Sequence, residues 1–479
     1  MILLLVVLSS VKSCDWLELL PPDGLVFDEY WKTKEDVEAT LLGAYSKFAI
    51  MDEKLFLYGE IRADMIDADE APNYEKQIIN SSIFSNNILA DWMDFYEIIN
   101  YCNNVIELAP KMYEENVDPT FTEFQMVSLQ SEAIFLRSLA YFYLVRVFKD
   151  VPYITQPTID DNIDFYVPKT PGDSILLYVV EDLKEFSLSI STDYGSNEKT
   201  KGRATKGALN ALLADISLWN FQYEDCLEYI QNIDSLNQYY LMTSTTWFDI
   251  FQPGNSLESI FELQFDGNGQ NNSLYDYTYN LDYYVSSPNA IRLLDPELSR
   301  ERIRGFGSIS TDFLEYKPWK YAGVAPDQKT ARPSAIRKAA NFIIYRYADI
   351  VLMKAEAYSQ LGMFNEAEEE INKIRSRALM EPLTISTSED AFEDAILEER
   401  AKEFAFEGKR WFDLMRMGRR NDFQRKNILI EIIIQDANST QRLVLASKLS
   451  DPNGWYLPIY EDELERNANL VQNSYYVND

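Results

Sequence analysis

The 479-residue sequence contains no histidine. That absence removes Ser-His-Asp and Cys-His triads, HExxH zinc sites and every histidine proton shuttle. Carboxylate chemistry survives it, because 77 acidic side chains leave an Asp/Glu pair of the glycosidase kind open. Cysteine is scarce: Cys14, Cys102 and Cys226 are the three in the chain. The last two sit in helical, apolar contexts, YCNNVIE and YEDCLEY, which favour buried free thiols over a disulfide framework or a metal site. Basic residues are few, 44 against 77 acids, for a formal net charge of −33. Such a surface repels nucleic acid and anionic lipid, so no nucleic-acid partner is expected. Long apolar runs are missing as well. Ile2 to Leu8 falls far short of the roughly 20 residues that a membrane-crossing helix needs, and no later segment supplies them.

What is present describes a packed globular protein. Hydrophobic residues make up 46% of the chain and aromatics 14%, which exceeds what a core of this size requires and leaves aromatic side chains for a surface. The opening, MILLLVVLSSVKSC, has an apolar core, small residues at Ser9, Ser10 and Ser13, and then Cys14. This is the order of a bacterial lipoprotein signal, with residues 1–13 removed and Cys14 bearing the lipid; an ordinary secretory signal and a structural segment are the alternatives. Residues 14–479 then form one domain.

Helical periodicity dominates that domain. Thr33 and Asp36 form a predicted capping box, with Val37, Leu41, Ala44, Tyr45 and Phe48 on one face. Trp92 to Ile106 continues the pattern and Pro110 is expected to end it. Leu129 to Val147 reads as a long buried helix stopped by KDVPYI. AYSQLGMFNEA carries Ala357, Tyr358, Gly362, Phe364 and Ala367 at the offsets of a tetratricopeptide hairpin. ISLWNFQYEDC fits the same template with Phe221 where glycine is expected. Their separation is no tandem period, so these are scattered hairpins in a larger fold. Between about 240 and 335 the character changes to a strand, Ile260 to Phe265, followed by Gly/Asn turns and tyrosine-rich irregular sequence.

AILEERAKEFAFEGKRWFDLMRMG groups Glu399, Arg400, Glu403, Glu407, Arg410 and Asp413 with Phe404, Phe406, Trp411 and Phe412. Acids and arginines at helical spacing read as two helices broken at Gly408 and latched by ion pairs rather than as a catalytic constellation.

The chain resembles the SusD/RagB family of outer-membrane nutrient-binding lipoproteins over nearly its whole length. The matching stretches, in order, are CDWLELLPPD with FDEYWKTKEDVEATLLGAY, WMDFYEIINYCNNVIE, SEAIFLRSLAYFYLVRVFKDVPYI and GRATKGALNALLADISLW. NFIIYRYADIVLMKAEAYSQLG with INKIRSRA, EERAKEFAFEGKRWFDLMRMG and WYLPIYEDELERNANLVQNSYY follow. The resemblance implies a mainly α fold in which tetratricopeptide-like hairpins form a scaffold, with minor β structure and a loop-rich ligand region. It implies lipidation at Cys14, a cell-surface place on the outer membrane, no catalysis and no cofactor. It further implies capture of an oligosaccharide or peptide for a SusC-like TonB-dependent transporter.

Sugar rings stack their C–H faces on Trp and Tyr while short polar side chains satisfy the hydroxyls. Three stretches fit that chemistry: Asp64, Asp67, Asn73 and Tyr74; Tyr275, Tyr277, Tyr279 and Tyr283 with Asn271, Asn272 and Asn280; and Trp319 with Tyr321. A glycoside hydrolase built on paired carboxylates and a purely protein-binding scaffold stay open as alternatives.

Overall fold

The computed structural model describes residues 31–68, 70–159, 164–275, 277–278, 283–294, 303–310, 316–321 and 334–477. The signal region, Cys14, Tyr279 and Asn280 lie outside them. The described chain is mainly α-helical, with three two-stranded antiparallel pairs.

The first helix, Lys34–Ala49, starts at the expected box: the Asp36 amide donates to the Thr33 hydroxyl, and the Thr33 amide donates to the Asp36 carboxylate at 2.8 Å. Met93–Glu114 follows Trp92 and does not stop at Pro110, which lies inside it. The proline sits in the last turns, where one lost amide bond does not undo the winding. Glu123–Phe148 is buried on every side from Leu129 to Phe148, so the amphipathic stripe of a surface helix is absent. Cys102 and Cys226 are free and buried, and burial pushes the Cys102 thiol up to about 12.

Two helical hairpins stand where their motifs lie. Lys206–Trp219 turns into Tyr223–Ser235, and Tyr347–Gln360 turns into Phe364–Arg377. Gly362 takes φ +73° at the second turn, and Phe221 takes φ +61° at the first, the same left-handed conformation without glycine's freedom. Far apart in sequence, the hairpins pack together through Tyr223–Ser235 and Tyr347–Gln360. The loop-rich region is closed at its base by Ser259–Leu263 pairing antiparallel with Phe342–Arg346.

The charged segment is a latch. Gly408, at φ +70°, separates Glu389–Glu403 from Arg410–Phe423. It also meets the N-terminal half of the protein, since a Cβ on Gly59 would fall 1.7 Å from the Gly408 carbonyl oxygen. Around it lie buried ion pairs. Arg346 reaches Glu258 and Glu403 at 2.7 Å each and Glu407 at 2.8 Å. Arg400 holds Asp349 and Asp413 at 2.8 Å each. Arg377 is bonded to Glu403, and Lys320 reaches Glu407 at 2.8 Å.

Buried carboxyls divide into two classes with opposite pH signs. Asp349, Glu403, Glu407 and Asp413 suffer desolvation, but their arginine and lysine partners outweigh it and hold them below the ordinary range. Their contribution is complete above the unfolded pKa and is lost only in strong acid. In Asp52, Glu53, Glu60 and Glu393 burial wins and pushes the carboxyls up to about 6, 7, 8 and 7. These four bind protons in the folded state that the unfolded chain has released, so stability falls as pH rises from about 4.5 to about 8. Calorimetric scans at pH 5, 6.5 and 8 are expected to show the melting temperature decreasing across that series; a rise would show that these four acids do not hold their protons in the folded state.

Candidate ligand site

Two of the aromatic stretches meet in space. Ile66 pairs with Ser286 and Asp67 with Val285 in a short antiparallel ladder, which sets the segment after Asp64 beside the tyrosine-rich one. Asp64 fastens this junction to the latch. Arg410 donates from Nε to Asp64 Oδ1 at 2.7 Å and from Nη2 to Oδ2 at 3.0 Å, a fork that fixes the carboxylate's plane. Asn289 Nδ2 donates to Asp64 Oδ2 at 2.7 Å, and the Ser287 hydroxyl donates to the Asp64 carbonyl at 2.6 Å.

On this base stands a group of tyrosines. Tyr74 lies in the first turn of the helix Asn73–Ile79. The Tyr277 ring is 5.9 Å from Tyr283 and 6.4 Å from Tyr284, both tilted, and Tyr284 packs 6.2 Å from Phe56. Tyr284 is fully buried, whereas Tyr74, Tyr277 and Tyr283 are half-buried and lean on the main core. Beneath them are carboxyls. The Tyr284 hydroxyl donates to Glu75 Oε2 at 2.5 Å, Tyr277 faces Glu53, and the Ser273 amide donates to Asp52 Oδ2 at 2.8 Å. Burial raises Glu75 above the usual carboxylate range against the pull of Tyr284 and Tyr74. The Tyr277 and Tyr284 phenols are raised too, first by desolvation and then by the charges of Glu53 and Glu75.

Tyr74, Tyr277 and Tyr283 are the part-exposed aromatic side chains that the cluster offers a visitor. Such rings bind flat apolar surfaces, and the exposed Asp67 and Asn73 place polar groups at the edge. No group of three or more cysteine, aspartate or glutamate side chains among the described residues is arranged to hold a metal ion.

Comparison with known proteins gives this architecture its relatives. A family model described as "SusD family" matches residues 310–476, and one described as "Starch-binding associating with outer membrane" matches residues 15–218. The chain is SusD-like. A SusD-like protein of Formosa agariphila is 27% identical, with 86% of this chain and 90% of that protein covered. The crystal structure of a SusD superfamily protein from Bacteroides vulgatus superposes with a TM-score of 0.74 at 21% identity, covering 93% of this chain and 100% of the other. A structure titled "Laminarin binding SusD-like protein" gives a TM-score of 0.71 at 19% identity over 93% of this chain and 100% of its own.

Within this SusD-like fold, the sequence candidates separate. Asp67, Asn73, Tyr74, Tyr277 and Tyr283 come together. Four others do not serve as an open platform. Asp64 is buried in its bonds to Arg410 and Asn289, which makes it an anchor of the loops. Trp319 and Tyr275 are buried against each other, and Trp319 Nε1 donates to the Phe306 carbonyl at 2.9 Å. Tyr321 is buried between Phe251 and Phe342 at 5.8 and 5.6 Å. In all three the aromatic surface is spent on the interior, the commoner fate of a large apolar side chain. Glu53 and Glu75 are the residues missed. A carboxyl buried under an aromatic cluster has no local signature, although Glu75 directly follows Tyr74 in sequence.

Away from the tyrosines, a concavity of about 420 Å³ lies between helix 34–49, helix 197–202 and strand 259–263. Leu42, Tyr45 and Leu263 give it apolar wall, and Gln264, Gln270 and Arg203 give it polar groups.

Proposed function

We propose that this SusD-like chain captures a neutral oligosaccharide on the Tyr74, Tyr277 and Tyr283 cluster, leaves it chemically unchanged, and passes it to a SusC-like TonB-dependent transporter. The convergence of Tyr74 with Tyr277 and Tyr283 across the Ile66/Ser286 ladder is the observation that carries the reading. The starch-binding description of one matched family model and the laminarin-binding title of one structural neighbour point to the same ligand class. The net charge of −33 and the carboxyls under the tyrosines disfavour sulfated or uronic chains. Lipidation at Cys14 anchors the protein to the outer membrane, and no helix among the described residues is long and apolar enough to cross one. The glycan is drawn from the cell exterior, and the helical scaffold serves to hold the loops.

Glu53 and Glu75 supply the one observation that favours a hydrolase, two carboxyls in one site with one of them near pH 7. Against that, Glu75 is fully buried and engaged by Tyr284, out of reach of a glycosidic oxygen. The test is titration calorimetry of the lipid-free protein with laminarihexaose and maltohexaose, followed by chromatography of the same mixtures. Tyr74→Ala and Tyr277→Ala are each expected to weaken binding by about 1–3 kcal/mol, one aromatic contact's worth, while the melting curve stays in place. Shortened products would establish the hydrolase instead, and unchanged affinity in both variants would move the site elsewhere.

A further inference from the structure

Where the long helix Glu123–Phe148 ends, the chain takes a conformation that lysine does not favour. Lys149 has φ +71° and ψ −76°, and the Asp150 amide donates to the Phe148 carbonyl at 3.0 Å, which together make a γ-turn of the rare, strained kind. The turn is pinned from outside: a Cβ on Gly172, at the start of helix Gly172–Phe186, would fall 2.3 Å from the Lys149 carbonyl oxygen. Residues with side chains held at such angles gather at functional sites, because strain persists where something is gained from it.

Lys149 stands on the wall of a concavity of about 410 Å³, a volume in the range of small-ligand sites. Its Nζ donates to Asn453 Oδ1 at 3.1 Å and lies 5.9 Å from the centre of the Tyr456 ring. A second cation lines the same space. The Arg419 guanidinium lies 4.4 Å from the centre of the Trp219 ring, and its Nη1 donates to the Trp219 carbonyl at 3.2 Å. Both cations therefore rest on rings and neutral oxygens, and among the described residues neither pairs with a carboxylate. That sets Arg419 apart from Arg346, Arg400 and Arg410, which hold acids. Two acids line the concavity as well: Asp150, whose Oδ1 accepts from the Gly172 amide at 3.0 Å, and the exposed Asp173. Phe423 and Tyr456 add aromatic wall, and the Tyr456 hydroxyl, on a residue only 7% exposed, has no hydrogen-bond partner among the described residues.

We infer that this concavity is a second sugar site, which takes one end of a neutral oligosaccharide and shares no residue with the tyrosine cluster. Its chemistry selects the class. Two cations against two acids leave no net charge, so neither an anionic nor a cationic ligand is matched by the wall as a whole. Hydroxyl groups are matched: each donates to a carboxylate and accepts from an ammonium, guanidinium or phenol, and vicinal hydroxyls do both side by side. The Tyr456 and Phe423 rings meet the apolar C–H face of the same sugar. Arg419, stiffened against Trp219, offers donors already in place, so little side-chain freedom is lost on binding. The site does not depend on the tyrosine platform.

Trp219 reports on the site directly. Full-chain protein labelled with ¹⁵N at tryptophan is titrated with laminaribiose, maltose and dialanine, and the Trp219 indole signal is assigned by its loss in Trp219→Phe. At least one disaccharide is expected to move that signal, in the parent and equally in Tyr277→Ala. Half-saturation should require about tenfold more sugar in Lys149→Gly and in Asp173→Asn, each of which removes one charge-assisted hydrogen bond. Lys149→Gly should melt no lower than the parent, since glycine accepts the angles of the turn, and this separates loss of the ligand from loss of the fold. Asp173 is exposed, so its variant keeps the test valid whatever the turn does. A Trp219 signal that neither disaccharide moves, or half-saturation unchanged in both variants, overturns the site. A shift that disappears in Tyr277→Ala makes the two sites one and overturns the inference, and a response to dialanine at lower concentration than to either sugar overturns the ligand class in favour of a zwitterion. Unaltered laminarihexaose affinity in Tyr277→Ala, alongside the expected Trp219 shift, removes the tyrosine platform and leaves this site standing.

Discussion

Trp411→Ala is expected to cost about 3–5 kcal/mol, a large part of the stability of a protein this size, read as a lower urea midpoint with an unchanged slope. Trp411 is 3% exposed and sits where the two ends of the chain meet. The Arg62 guanidinium lies 4.8 Å from the centre of its ring, and Arg62 Nη1 donates to the Trp455 carbonyl at 2.8 Å. Leu57, Ile78, Val147 and Leu457 surround a small cavity beside it, so truncation enlarges an existing void instead of being filled by collapse. Arg62 would also lose the ring that shields it while remaining bonded to Trp455, leaving a buried cation poorly surrounded. Glycan binding should fall only as the folded fraction falls. A Trp411→Ala protein that melts like the parent and has lost ligand binding alone would put the latch in the site.

Arg346→Ala should be harsher in its consequences for folding, at about 3–5 kcal/mol for the broken pairs, before any cavity is counted. All three guanidinium nitrogens are used: Nε donates to Glu407 Oε2 at 2.9 Å, Nη1 to Glu258 and Glu403 at 2.7 Å each, and Nη2 to Glu407 Oε1 and the Glu403 carbonyl at 2.8 Å each. Removing it takes the shared cation from three acids that show no exposed surface, leaving Glu258 and Glu403 to Arg377 and Glu407 to Lys320. Lysine cannot rescue the site, because one ammonium does not reproduce a planar fork that spans three carboxylates. With fewer cations beside them the acids take up protons more readily, so the variant should lose less ground to the parent at pH 5 than at pH 8. Soluble yield and melting temperature at those two pH values check this. A variant equally destabilised at both would mean that lost packing, not stranded charge, is the cost.

Much of this is legible in the chain. Thr33 and Asp36 announce their capping box because capping is a contact between residues three apart. The hairpin turns at Phe221 and Gly362, the Gly408 break and the long helix ending at Phe148 are similarly local. The expected stop at Pro110 fails for a related reason: the local rule forbids proline in mid-helix and says little about the last turns, where packing on helix 123–148 keeps the chain wound. Helical spacing shows the latch to be built of ion pairs, yet three of its cations, Arg346, Arg377 and Lys320, come from outside the segment.

Site residues are legible as types and only partly as places. A tyrosine in an irregular stretch has the same composition whether its ring faces solvent or the interior. Tyr277 and Tyr283 remain partly open because the Ile66/Ser286 ladder sets them beside Tyr74 at the surface of the core. Tyr275 and Trp319 pack on each other, and Tyr321 packs on Phe342, because the strand Phe342–Arg346 and helix Arg304–Ser308 lie above them. The helices, their caps and turns, the sign of the surface and the lack of histidine chemistry all follow from the chain, since each depends on near neighbours or on counting. Three-dimensional packing was needed to settle which carboxyls are pushed down by their cations, which are pushed up by burial, and which aromatics stay partly exposed. Those properties depend on distance and desolvation between residues as far apart as Asp64 and Arg410 or Glu75 and Tyr284, and no spacing rule along the sequence carries that information.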